Sequence, residues 1–91
     1  MRKIELEMLQ AINLKNNWSK DNTQVIFDNG TSKVYLHGHH IANINHLTGC
    51  KEANKETLKD WPTNTTKSRL RSLGLNVSTK KGVTYLNGEK L

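Results

Sequence analysis

Apolar side chains recur at helical spacing only near the start of the chain. Ile4, Met8, Ala11 and Ile12 fall on one face with Leu9 at its edge, which predicts a helix over residues 2–15. Glu5 and Glu7 near one end and Lys15 near the other suit the helix dipole, and Asn16-Asn17 ends the pattern. From Thr23 the pattern becomes strand-like. Thr23–Phe27 runs into Asp28-Asn29-Gly30, a hairpin signal because Asn and Gly tolerate positive φ. Lys33–Leu36 returns, His37-Gly38 permits a second turn, and His40–Ile44 supplies a third strand. Three strands give a face that a helix can cover.

Residues 46–60 are polar, with a short helix expected over Asn54–Lys59. Trp61-Pro62 then breaks the chain, because the residue before proline avoids the α region. Thr63-Asn64-Thr65-Thr66 is an N-cap cluster for a helix over 65–73, with Gly74 as its C′ residue. Leu75–Thr79, Lys80-Lys81-Gly82 and Val83–Leu86 make a second hairpin. The expected fold is a single α+β domain over 1–91. A small antiparallel sheet, built from the 23–44 meander and the 75–86 hairpin, is packed by helices 2–15 and 65–73. Trp18, Ile26, Val34, Leu36, Ile41, Leu70, Val77 and Tyr85 are the core candidates. Val34-Tyr35-Leu36-His37-Gly38 is echoed in Thr84-Tyr85-Leu86-Asn87-Gly88, which a strand followed by a turn explains without a repeat architecture.

Composition limits the core. Only 34% of the 91 residues are hydrophobic and the mean hydropathy is −0.72, so little apolar surface is available for burial. Cys50 is the single cysteine, so no disulfide forms within the chain. No run approaches the ~18 apolar residues of a membrane span. The opening Met1-Arg2-Lys3-Ile4-Glu5 lacks the apolar stretch of a secretory leader.

Charge is distributed unevenly. Residues 61–91 hold Lys67, Arg69, Arg71, Lys80, Lys81 and Lys90 against Glu89 alone, which is five of the six net positive charges. Such a concentration suits a polyanion, most often nucleic acid. On the 65–73 helix, Thr66, Leu70 and Leu73 share a face that must pack. Lys67 and Arg71 share another, and Arg69 lies off both. Thr65, Thr66, Lys67, Arg69 and Arg71 are therefore expected to position phosphates, with Lys80 and Lys81 as a second contact. A helix followed by a basic hairpin is what a winged helix-turn-helix presents to DNA, although the preceding segment is short here. The leading expectation is a binder of DNA or RNA, monomeric or homodimeric, with no catalysis, no cofactor and no membrane contact. The competing expectation is an inhibitor of a host protein, docking through an apolar sheet or an edge strand.

His37, His39, His40 and His46 lie within ten residues, with Cys50 four further on. His37, His39, His46 and Cys50 have the donor chemistry of a tetrahedral zinc site, but their spacing matches no common zinc pattern, and no metal is expected. Asn45-His46-Leu47-Thr48-Gly49, followed by Asn54, Leu58, Trp61 and Thr63, resembles a stretch of HNH homing endonucleases. That resemblance implies His46 as a general base and Asn64 as the nearest candidate for a later ligand. Thr57 replaces the family's Asn before Leu, and no second ligand stands at a clear position, so the metal shell such a base needs is missing.

A broader resemblance covers roughly residues 3–88. Leu36-His37-Gly38-x-x-Ile41-Ala42 and Trp61-x-Thr63-x-Thr65-Thr66-Lys67-Ser68-Arg69-Leu70 look like segments of small, uncharacterised tailed-bacteriophage proteins. That resemblance implies a phage origin and a role in the cytoplasm of an infected bacterium. It supplies no activity. By analogy it favours an accessory binder over a nuclease.

Overall fold

The computed structural model describes residues 2–91, and they form the α+β arrangement expected. Helix α1 (Lys3–Asn13) leads into a five-stranded antiparallel meander. Its strands are β1 (Trp18–Lys20), β2 (Thr23–Asp28), β3 (Thr31–Leu36), β4 (His39–Asn45) and β5 (Lys51–Ala53), in that spatial order. Helices α2 (Lys55–Asp60) and α3 (Asn64–Ser72) follow. The chain ends in β6 (Val77–Lys80), β7 (Val83–Leu86) and β8 (Glu89–Lys90). These last strands make a separate three-stranded sheet instead of extending the meander.

Turn chemistry sets the hairpins. Asn29-Gly30, His37-Gly38, Lys81-Gly82 and Asn87-Gly88 each place two successive residues at positive φ, the type I′ geometry whose twist matches that of paired strands. This explains the Tyr-Leu-His/Asn-Gly echo. Leu36 and Leu86 are both buried, and the residue after each donates its backbone N–H across the strand pair, His37 to Asn22 and Asn87 to Asn76.

Along β3 burial alternates strictly, with Ser32, Val34 and Leu36 facing the core. A bulge in β4 opposite Val34 and Tyr35 lets Ile41 and Ala42 both turn inward. Met8 and Ile12 of α1, Leu58 of α2, Leu70 of α3 and Leu73 just past it complete one core with Val25, Ile44, Val77 and Leu86. Five of the expected core residues, Val34, Leu36, Ile41, Leu70 and Val77, are buried there. Trp18 packs on its margin. Ile26 is only half-buried: it pairs with Lys33 on the opposite face, because Val25 takes the inward position and neighbours on a strand point apart. Tyr85 is likewise half-buried, opposite Ser78.

Candidate nucleic-acid interface

Helix α3 is polar along most of its length, yet it is held on three sides. Thr66, Leu70 and Leu73, the last just past the helix, form the packed face. Lys67 and Arg71 face β6: the Lys67 ammonium donates to the Thr79 hydroxyl, and Arg71 Nε donates to the Val77 carbonyl at 2.8 Å. The third side meets α1 and β2. There Arg69 Nη1 lies 2.8 Å from Glu5 Oε2, Arg69 Nε donates to Thr23 Oγ1 at 3.1 Å, and the Ser68 hydroxyl donates to Glu5 at 2.6 Å. Burial by itself would raise the Glu5 carboxyl pKa. Hydrogen bonds from Ser68, Arg69 and the Arg2 amide outweigh it and leave the group below its ordinary value.

Burial limits what α3 itself presents of the expected phosphate contacts. Arg69 is 4% exposed and Lys67 8%, each with its charged end committed inside the protein. Thr66 is buried and its hydroxyl meets that of Thr63 at 2.9 Å. Arg71 keeps exposed surface while its Nε is occupied. Thr65 is half-buried, and Lys80 and Lys81 are exposed. Among the described residues no buried side-chain polar atom lacks a partner.

The contacts between α3 and β6 fix the relative direction of the two elements. Arg71 is level with Val77, and Lys67 is level with Thr79. Four helical residues rise about 6 Å and two strand residues about 6.6 Å, so the two elements run antiparallel in step. β6 thus runs back toward the N-terminal end of α3, and Lys80-Lys81 stand exposed at the tip of its hairpin with β7.

A cleft of about 430 Å³ opens at the N-terminal end of α3. Buried Leu36 and Ile41 form its apolar floor, and Thr57, Thr63 and Thr65 bring hydroxyl groups to its wall. His39 and Trp61 stand at its mouth with ring centroids 4.9 Å apart and planes 29° from parallel. His39 pairs with core-facing Leu36, and cross-strand partners share a face, so its ring leans over the core side of the sheet. Trp61 ends α2 immediately before Pro62; its backbone leaves helical geometry there and the indole remains 53% exposed. From the sequence, Trp61 stands only at a chain break before proline and His39 only in the histidine–cysteine cluster. A tryptophan before proline, outside any amphipathic pattern, was the available signal.

The histidine–cysteine cluster is divided by strand β4. His37 and His39 flank the β3–β4 turn, whereas His46 and Cys50 lie beyond its other end, about 20 Å along seven residues. His37 Nε2 is 2.8 Å from the Asn22 amide nitrogen, and His40 Nε2 is 2.7 Å from Asn43 Oδ1. His46 shares a 2.7 Å hydrogen bond with buried Ser32 and meets the Phe27 ring edge-on. Among the described residues no three His, Cys, Asp or Glu side chains converge as metal ligands. The N-terminus of α3, where Asn64 stands, is at the opposite end of the sheet from His46.

The edges that an added partner strand would use are short, three residues each in β1 and β5, four in β6 and two in β8. Among the described residues no helix is long and apolar enough to cross a membrane.

A family model described as Kyanoviridae Gp96 protein matches residues 1–91, and the chain belongs to that bacteriophage family. No curated protein matches it, and no solved structure does.

Proposed function

We propose that this member of the Kyanoviridae Gp96 family is a non-enzymatic accessory protein that binds nucleic acid in the cytoplasm of the infected bacterium. The carrying observation is that Lys80 and Lys81 stay exposed at a hairpin tip in the third of the chain that holds five of the six net positive charges. Exposed cations and the exposed His39–Trp61 rings are the two elements that phosphodiester chains meet on proteins, charge for the phosphates and a flat surface for the bases. The remaining charge of the C-terminal third does not add to the grip in full, because Lys67 and Arg69 are committed inside. The contact is therefore smaller than the sequence implies, and the salt dependence should be shallower.

Anisotropy of labelled DNA and RNA at ~50 and ~200 mM salt tests this, over the range where phosphate contacts weaken steeply. The Lys80→Ala/Lys81→Ala variant should bind more weakly and reduce the log–log salt slope by about 1.4–1.8, the value for two lost phosphate contacts. Binding unchanged in that variant would remove the hairpin from the interface.

A further inference from the structure

We infer that the His39–Trp61 cleft receives one unpaired nucleobase, so that the ligand is a single strand. This rests on the nucleic-acid reading above and narrows it. The 91-residue chain buries Leu58, Leu70 and Leu73 almost completely, yet leaves more than half of Trp61 in water. Exposing an indole forgoes the largest hydrophobic gain that any side chain offers. The ring is also held in place: His39 stacks on it, and its backbone N–H donates to the Thr57 carbonyl at 2.8 Å. An oriented, solvated aromatic ring is a ready platform for another flat π-system.

The cleft has the composition of a base pocket. Leu36 and Ile41 supply an apolar floor, His39 and Trp61 supply planes, and the hydroxyls of Thr57 and Thr65 both donate and accept. Hydroxyls that work in either sense accept the edge of any base, which favours tolerance of sequence. A base within a duplex is stacked and paired and cannot enter, whereas a base on a single strand is free to do so. Charge complementarity favours a nucleotide over an uncharged aromatic ligand, because the chain carries a net charge of +6 and keeps Lys80 and Lys81 exposed.

The test compares labelled single-stranded DNA, single-stranded RNA and duplex DNA of equal length. It uses the intact chain, Trp61→Ala, His39→Ala and Lys80→Ala/Lys81→Ala, each checked by thermal melting. The expected result is tighter binding of a single strand than of duplex. Trp61→Ala should weaken that binding roughly 5- to 150-fold, the span for loss of one base-stacking aromatic, and leave the weak duplex binding unchanged. Tryptophan emission supplies a second readout that does not depend on the alanine variant folding. A single strand should quench it in the intact chain and in Trp18→Phe, but not in Trp61→Phe. Equal loss for single strand and duplex, or no loss in a folded Trp61→Ala, would overturn the cleft as a base site. If Lys80→Ala/Lys81→Ala still weakens binding in either case, the broader nucleic-acid reading survives. Absence of binding to all three probes at ~50 mM salt would overturn both.

Discussion

Glu5 and Arg69 form an ion pair across 64 positions of sequence, at 2.8 Å, with their side chains 3% and 5% exposed. The pair joins the first helix to the third and, through Thr23, to the sheet. Every polar end is satisfied: Glu5 also accepts from Ser68 and from the Arg2 backbone. Replacing Arg69 with Ala would leave a buried carboxylate unpaired, which costs about 3–5 kcal/mol. Urea denaturation should show that loss for Arg69→Ala. The double variant Glu5→Met/Arg69→Met should recover much of it, since a packed apolar pair needs no compensation. Equal losses in both variants would mean that the packing of α3, and not its charge pairing, sets the energy.

Acid should loosen the same joint. The folded-state pKa of Glu5 is lowered, so its contribution is fully present above the unfolded carboxylate value of about 4.3 and is lost as pH falls through the lower folded value. Glu5→Gln cannot titrate. The melting-temperature gap between the intact chain and Glu5→Gln should therefore hold from pH 7 to about 5 and shrink below about 4. A gap that stays constant down to pH 2 would assign the acid sensitivity to other carboxylates.

The start of α3 depends on one hydroxyl. Thr63 Oγ1 accepts from the Thr66 amide at 3.1 Å and also meets the Thr66 hydroxyl at 2.9 Å. Thr63→Ala should cost about 1 kcal/mol, the usual value for a lost N-cap, and Thr63→Ser should restore most of it. Chemical denaturation of the three proteins measures both differences.

Lys81 stands at φ 50 before Gly82 at φ 77, a left-handed position that suits Asn better than Lys. Lys81→Asn should raise stability by up to about 1 kcal/mol. It should also weaken nucleic-acid binding and reduce the salt slope by about 0.7–0.9, the contribution of one phosphate. Melting and anisotropy on a single preparation would register opposite signs. Weaker binding accompanied by lower stability would instead indicate a damaged hairpin.

His46 is engaged by Ser32 and Phe27. Supercoiled plasmid incubated with the protein and Mg²⁺ or Mn²⁺ should stay intact. Ser32→Ala should cost about 1–3 kcal/mol by leaving the His46 ring nitrogen without its partner. Metal-dependent nicking abolished by His46→Ala would restore the nuclease reading.

Local physics made several features readable in the chain itself. The apolar spacing of Ile4, Met8, Ala11 and Ile12 marked α1, and Asn29-Gly30 and Lys81-Gly82 marked hairpins, because both signals act within a few residues. The Thr63-Asn64-Thr65-Thr66 cluster announced the start of α3 for the same reason, and the structure takes Thr63 as the cap. The inward positions of Val25 and Val34 were less accessible. Val25-Ile26-Phe27 is apolar at both parities, and only the pairing of Val25 with Val34 against the core assigned Ile26 outward.

Tertiary structure alone decided which cations are free. Lys67, Arg69 and Arg71 stand within five residues of one another, but Lys67 meets Thr79 and Arg69 meets Glu5 and Thr23, up to 64 positions away, whereas Arg71 stays exposed with its Nε on Val77. Sequence counts charges. Long-range packing determines which of them meet solvent, because a charge buried beside a fixed partner no longer attracts an external anion. The same packing left Trp61 at the mouth of a cleft whose floor, Leu36 and Ile41, comes from a hairpin 25 and 20 residues earlier.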